Sequence, residues 1–340
     1  LAVVKADAYG HGAIPVSKRL EELGTDFLGV ATVKEGIELR NGGIRKPILV
    51  LSGIYQEEVA DVLAYQLTSM VYRLEIAEAL SATARKKGKK IPVHIKVDTG
   101  MGRIGVFFKE APAFVNRLRE FENIEIEGIA SHFSTADEEN SSFTKEQLQR
   151  FTRTLEEMKK LDIDPPFCHI ANSAALVNLP ATYFTLVRPG IMLYGSYPSS
   201  SLKDKISLRP VMSWKSLVAD LKKVPKGYPI SYGRTFITQR SSLIAAIPVG
   251  YADGYNRLLS NCGEVLIKGV RSPVVGRVCM DWTMVDVTDV AGVEVGDEVV
   301  LMGSQLGQEI TPEDLGGRIG TIPYEILCSV GKRVPRIYKG

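Results

Sequence analysis

The feature that most constrains this chain is an alternation. From Leu1 to about Tyr194, short apolar runs of strand length take turns with amphipathic helical stretches. The predicted strands are Leu1–Ala6, Asp26–Ala31, Pro47–Leu51, Ser69–Tyr72, Pro92–Val97, Ile124–Ala130, Phe167–Ile170 and Phe184–Val187. The first predicted helix carries Val16, Leu20 and Leu23 on one face and stops at Gly24. Others run over Val33–Leu39, from Glu57, over Leu74–Arg85 and over Ala111–Arg119. A further helix starts at Thr144, with Thr144 and Gln147 placed for a capping box and Leu148, Phe151, Leu155 and Met158 on one stripe. A helix between successive strands returns the chain to the same edge, so the sheet is parallel. About eight such units are what closes a TIM (β/α)8 barrel. An open doubly wound sheet is the alternative, but no GxGxxG opens the first helix and no Walker loop is present.

Beyond Tyr194 the texture changes. Ser196–Ser207 is small, polar and Pro-containing, and reads as a linker. Ser242–Val249, Glu264–Lys268, Thr283–Val287 and Glu298–Met302 are short β-rich runs punctuated by glycines. The expectation is a barrel over residues 1–200 followed by a C-terminal all-β domain over 201–340. A length of 340 residues accommodates both.

Composition removes several function classes. The charge balance is 42 − 39 = +3, too small over this length to argue for nucleic acid or an anionic membrane. No apolar run approaches the ~20 residues that span a bilayer, and no signal-peptide pattern is visible from Leu1 onward. Cys168, Cys262, Cys279 and Cys328 lie far apart, with no CxxC pair, so a reducing cytoplasm is expected. His11, His94, His132 and His169 show no metal-binding spacing, and no metal is expected.

A barrel gathers its chemistry at the carboxyl ends of its strands. There Lys5 follows the first strand, Arg103 the fifth in DTGMGRIG, His132 the sixth, His169 the seventh and Arg188 the eighth. A lysine delivered into low dielectric has a lowered pKa and can serve as an imine-forming amine or a base; a solvated lysine is the plainer alternative. Barrels usually bind phosphate with the loops after strands seven and eight. Here those loops hold Ser173, at the start of a helix, and Gly190, which permits close backbone approach. Taken singly, each reads as a helix cap or a turn. A lysine and a phosphate cradle in one mouth together suggest pyridoxal phosphate.

VVKADAYGHG, DTGMGRIG, HFSTADE, ANSAA, VRPGIMLYG, SYGRTF, PVGYADGY, GRVCMD and IGTIPYE follow one another along nearly the whole chain. In this order they resemble the alanine racemases, a pyridoxal-phosphate family that joins a TIM barrel to a β-domain and works as a head-to-tail homodimer. Members usually begin with a further strand and helix ahead of VVKADAYG. The resemblance implies that Lys5 binds the cofactor covalently. It places Tyr9, Ser173, Gly190, Ile191 and Tyr324 around the phosphate, His132 and Arg188 at the ring, and His169 behind Arg188. It assigns Arg103 to the phenolic oxygen and the substrate carboxylate, and Lys96 to a carbamate that orients Arg103. Tyr232 becomes the second catalytic residue, reaching the partner subunit's site. Met280 and Tyr251 bind substrate across the same interface, and Asp137, Arg257 and Arg277 line the entry corridor.

These residue types suit racemisation, which removes a proton from one face of Cα and returns it to the other; two opposed bases, Lys5 and Tyr232, achieve this. The implied activity is interconversion of L- and D-alanine in the cytoplasm, supplying peptidoglycan. A serine or broad-specificity racemase of the same fold is the alternative, although Tyr324 narrows the pocket by resemblance. A decarboxylase acting on basic amino acids fits the motifs poorly. A non-catalytic pyridoxal-phosphate carrier would lack the β-domain.

Overall fold

The computed structural model describes residues 1–139 and 141–339. The chain divides into two compact units. One comprises Leu1–Ala8, Gly12–Leu193 and Pro198–Ser207; the other takes Tyr9–His11, Tyr194–Tyr197 and the chain from Leu208 onward.

The first unit is built on strands β1 (Ala2–Val3), β2 (Leu28–Val30), β3 (Ile48–Val50), β4 (Thr68–Val71), β5 (Ile91–Asp98), β6 (Val106–Phe107), β7 (Ile124–Ala130) and β8 (Phe167–His169). They pair in the order β1-β2-β3-β4-β5-β7-β8, all parallel, and the short β6 pairs beside the end of β5. Leu28, Leu49, Val50, Val93, Ile95 and Ile129 have no exposed surface. That explains the unbroken apolar runs in the sequence, because helices cover the outer face and the barrel fills the inner one.

The eighth strand differs from expectation. Phe184–Val187 forms no ladder, because Phe184 adopts a left-handed backbone at φ 45° that breaks the extended run. The segment still occupies the eighth position. Thr185 N–H donates to Cys168 O (3.2 Å) and Arg188 N–H to Ala171 O (3.0 Å) on one side, while Val3 N–H donates to Pro189 O (3.0 Å) on the other. The barrel is thus closed by individual hydrogen bonds where the last strand was expected.

Other local readings are adjusted. The first helix spans Ala13–Glu22 and buries Ala13 and Ser17, whereas Leu23 lies past its end and is exposed. The long helix is Ser142–Lys159, capped by Ser141, whose hydroxyl accepts from Thr144 N–H. Gln147 is buried for another reason: its amide donates to His132 O (3.0 Å) and accepts from Ser134 N–H (3.0 Å). The Ser196–Ser207 stretch is more than a tether, since it buries Leu202 completely.

The second unit carries antiparallel sheets. Asp220–Val224, Ser242–Ile247 and Thr283–Asp286 form one. Glu298–Gln305 centres another, paired with Trp214–Leu217, Glu264–Ile267 and Gln308–Ile310. Val224, Ile230, Ile244 and Val275 pack a core against Phe236 and Met284. Two short helices, Pro312–Ile319 and Pro323–Ser329, follow the strands. The sequence pattern predicts only strands here; the first helix starts at TPED, where Thr311 and Asp314 form a capping box and Pro312 takes the first helical position.

Candidate active site

Lys5 follows β1 and opens an unusual turn. Ala6, Asp7, Ala8 and Tyr9 all have φ near 53° (53, 54, 53 and 53°), a left-handed helical turn made without glycine. Left-handed backbone costs L-residues roughly 1–2 kcal/mol each, so neighbours must impose it. They do. Ala6 N–H donates to the Glu35 carboxylate (2.8 Å), Ala13 N–H to the Asp7 carboxylate (2.7 Å), and Gly12 N–H to Asp7 O (2.9 Å). Glu35 is itself fixed by the Ala31 N–H (2.6 Å) and caps its own helix. The lysine is therefore launched from a rigid turn.

Arg188 is the centre of the barrel mouth. It is 5% exposed, and both of its terminal nitrogens donate. Nη1 donates to His169 Nδ1 (2.6 Å); Nη2 donates to Ser131 O (2.8 Å), Ile170 O (3.0 Å) and, at 3.3 Å, His132 Nδ1. Burial lowers the guanidinium pKa to about 10, so it remains a cation at neutral pH. His132 is held well below the usual imidazole range, first by burial and then by Arg188, Lys96, Arg103 and Lys5. Four basic side chains from four separate stretches of sequence thus lower the pKa of one imidazole.

Lys96 lies on β5, two residues beyond His94 on the same face, and is buried. Its pKa falls well below the ordinary lysine value through burial, with Arg188 and Arg103 adding to the effect and Asp98 opposing it. Arg103 is exposed on the glycine-rich loop. That loop is shaped by Asp98, whose carboxylate accepts from Gly100 N–H (2.9 Å) and Gly102 N–H (3.1 Å), and by the pairing of β6 with the end of β5. Gly105, at φ 126°, leaves no room for a Cβ, which would lie 2.8 Å from Asp98 N.

The two phosphate-loop candidates meet. Ser173 Oγ accepts the Gly190 N–H at 2.8 Å. Ser173 is not the helix cap; Asn172 is, its side chain accepting from Ala175 N–H (3.0 Å). A hydroxyl that accepts one bond keeps its own proton to donate. Ile191 is fully buried immediately beyond Gly190.

In the second unit the Tyr9 ring stacks on Tyr194 (4.9 Å) and lies 6.0 Å from the Tyr324 ring. Burial, then Tyr324 and Cys328, raise the Tyr9 pKa, keeping its hydroxyl protonated. Arg336 clamps this segment by donating to Gly10 O (2.8 Å), and Gly10 admits no side chain because a Cβ would lie 2.3 Å from Leu327 O.

The segments that carry Tyr232, Tyr251, Met280 and Arg277 are tied together by hydrogen bonds. Ser231 Oγ donates to Arg277 O (2.6 Å), Tyr251 N–H donates to Cys279 O (3.0 Å), and Ala252 N–H to Met280 O (3.0 Å). Tyr232 is 71% exposed, and Tyr251, Met280 and Trp282 are also exposed. Arg257, at the start of a 3-10 turn, and Asp137, in a turn, are both exposed. Sequence reasoning missed His94, Glu127, Glu35 and Gln147 as contributors. The spacing of His94 and Lys96 in HIK was the available signal for the first.

The fold is a parallel barrel whose mouth gathers basic side chains around His132 and a Ser173–Gly190 polar seam, the arrangement of a barrel enzyme. The profile described as "Alanine racemase, N-terminal domain" matches residues 1–198, and "Alanine racemase, C-terminal domain" matches 211–338. Alanine racemase 2 of Caldanaerobacter subterraneus subsp. tengcongensis is 49% identical over 99% of this chain and 87% of its own length. The solved alanine racemase of Clostridium difficile 630 superposes with a TM-score of 0.94 at 41% identity, over 98% of this chain and 87% of that one. The Bartonella henselae alanine racemase, described with covalently bound pyridoxal phosphate, superposes at 0.89 with 34% identity, over 99% and 92%. The chain belongs to the alanine racemase family, a family of pyridoxal-phosphate-dependent isomerases.

Proposed function

We propose that this chain interconverts L- and D-alanine with pyridoxal phosphate held at Lys5. The observation that carries the reading is the convergence of Lys5, Lys96, Arg103 and Arg188 on His132. Such a cluster of cations needs anions, and a phosphate plus two carboxylate- or phenolate-type oxygens supply them.

The residues fit the cofactor. The Arg188 Nε–H makes no hydrogen bond among the described residues, although the side chain is buried. The Ser173 hydroxyl retains a proton to donate beside Gly190. Ser173, Gly190 and Ile191 would hold the phosphate, Tyr9 and Tyr324 being assigned to it by the family resemblance, and His132 and Arg188 would meet the ring, with His169 behind. Bound through Lys5, pyridoxal phosphate supplies the electron sink that acidifies the substrate Cα–H.

Lys5 exchanges a proton with one face of Cα and Tyr232 with the other. Arg103 holds the substrate carboxylate. Arg188 has no acceptor lone pair and stays charged at neutral pH, so toward the ring nitrogen it would act as a hydrogen-bond donor, which would keep the sink weak and favour simple proton return. Lys96, its pKa lowered by burial and by the neighbouring Arg188 and Arg103, is suited to adding carbon dioxide with loss of a proton; the carbamate anion would relieve the repulsion with Arg103 and Arg188 and orient Arg103.

The exposed Tyr232, Tyr251, Met280 and Trp282 form the aromatic and methionine-rich kind of surface that interfaces favour. A second copy of the chain covers it, so each Tyr232 serves its partner's barrel, with Met280 and Tyr251 beside the substrate and Asp137, Arg257 and Arg277 along the entry path. The barrel domain spans 1–200 and the domain carrying Tyr232 spans 201–340. In the cytoplasm the product feeds peptidoglycan assembly.

A chiral product assay with L-alanine and L-serine side by side tests the activity; turnover of serine in preference to alanine would select the broader racemase. Mixing inactive Lys5→Ala and Tyr232→Phe proteins tests the shared site. Mixed dimers are expected to regain one working site of two, and absence of recovery despite demonstrated subunit exchange would refute it.

A further inference from the structure

Behind Arg188 a chain of hydrogen bonds runs through the barrel interior. Arg188 Nη1 meets His169 Nδ1 at 2.6 Å, His169 Nε2 meets His94 Nδ1 at 2.8 Å, and His94 Nε2 meets a Glu127 carboxylate oxygen at 3.1 Å. Both histidines are fully buried, and His94 is boxed by the Phe27 and Phe167 rings. The Glu127 side chain is 23% exposed, so the chain ends where water can reach it.

The two ends fix every proton between them. A guanidinium only donates, so His169 Nδ1 accepts and its proton sits on Nε2. His169 Nε2–H then donates to His94 Nδ1, which leaves the His94 proton on Nε2. That proton goes to Glu127, whose carboxylate only accepts. Every bond points the same way, from Arg188 to Glu127. The reverse tautomers are incompatible with Arg188, because a His169 proton on Nδ1 would face an arginine N–H at 2.6 Å.

The backbone is shaped to make this contact. Where β7 pairs with β5 the register shifts: Val93 faces Ile126, but His94 faces Gly128. Glu127 is the extra residue of a bulge, a device that re-aims a side chain. Gly128 is required beside it, because a Cβ there would lie 2.5 Å from His94 Nδ1.

From this we infer that Glu127, acting through His94, is a positioning residue for the reaction: it locks the tautomers of His94 and His169 and thereby holds Arg188 in its donor pose at the cofactor ring. The last clause rests on the function proposed above; the relay itself does not. Without an acceptor at residue 127, His94 is free to place its proton on Nδ1. His169 then loses its acceptor, and its contact with Arg188 breaks in a fraction of molecules.

The test uses the full chain with 15N-labelled histidine, whose four histidines are resolvable by single-residue variants. Wild type is expected to show pyridine-type Nδ1 and pyrrole-type Nε2 resonances at both His94 and His169, with or without pyridoxal phosphate. Glu127→Leu should convert both to tautomer mixtures, while Glu127→Gln, which keeps an acceptor oxygen, should stay near wild type. His94→Leu should mix the His169 tautomers in the same way if Glu127→Leu folds poorly. In loaded enzyme Glu127→Leu and His94→Leu, but not Glu127→Gln, should divert several-fold more turnovers to transamination, in which alanine and pyridoxal phosphate leave as pyruvate and pyridoxamine phosphate. Unchanged tautomers in folded Glu127→Leu overturn the relay. Mixed tautomers with an unchanged pyruvate fraction overturn its action on Arg188. A wild-type protein that shows the tautomers but does not racemise alanine leaves the relay standing and sinks the functional reading instead.

Discussion

The Ser173 hydroxyl and the Gly190 amide meet at 2.8 Å, tying the loop after β8 to the loop after the eighth barrel position. Two sequence segments that each looked like an ordinary turn become one polar seam. Ser173→Ala removes the hydroxyl donor and leaves the Gly190 N–H without its acceptor. A hydrogen bond to a charged group contributes about 1.5–3 kcal/mol, so pyridoxal phosphate affinity should fall roughly ten-fold or more. Titration of the cofactor-free protein reads this directly. Ser173→Thr should retain most of the affinity, and equal affinity in Ser173→Ala would remove Ser173 from the phosphate site.

The left-handed turn after Lys5 predicts a stabilising substitution. Ala6 is exposed at φ 53°. Glycine there relieves about 1–2 kcal/mol of backbone strain and loses about 0.5–1 kcal/mol in chain entropy. Ala6→Gly should therefore raise unfolding free energy by up to about 1.5 kcal/mol in urea melts. A drop in stability would show that the surrounding contacts make this turn unstrained.

Lys96 is expected to carry carbon dioxide. Its amine adds CO2 and releases one proton, giving a carbamate. Native mass measurement should show one CO2 per chain, absent after acid treatment and absent in Lys96→Met. Because Arg103 then loses an anionic partner, Lys96→Met should lower kcat/KM for alanine on the order of ten-fold, the worth of one charge-assisted hydrogen bond. Full activity in Lys96→Met would discard the carbamate.

His132 and His169 predict an acid limit. Both are held well below the ordinary imidazole pKa in the folded chain, chiefly by burial and then by Arg188. Above about pH 6.5 neither state takes up a proton, and their contribution is constant. As pH falls below that value the unfolded chain binds protons that the folded chain refuses. Stability should then drop by up to about 1.4 kcal/mol per pH unit for each histidine, continuing down to the folded pKa values. Urea melts at pH 7 and pH 5.5 measure the slope, and His132→Gln should reduce it by one proton. A flat profile over this range would contradict the burial of neutral imidazoles.

Much of this protein is written in local patterns. The period of the apolar residues located β2, β3, β4, β5, β7 and β8, and strand-end position alone picked out Lys5, Arg103, His132, His169 and Arg188. Local pattern reaches that far because a parallel barrel buries both faces of each strand and confines its chemistry to one end. Tertiary structure decided the rest. It turned Phe184–Val187 into a closing segment without a ladder, imposed a left-handed turn through Glu35 and Asp7, and gave Ser173 to Gly190. It also aligned Arg188, His169, His94 and Glu127 through a bulge. None of these follows from neighbouring residues in sequence, because each is a hydrogen bond or a backbone strain set by groups that only folding brings within reach.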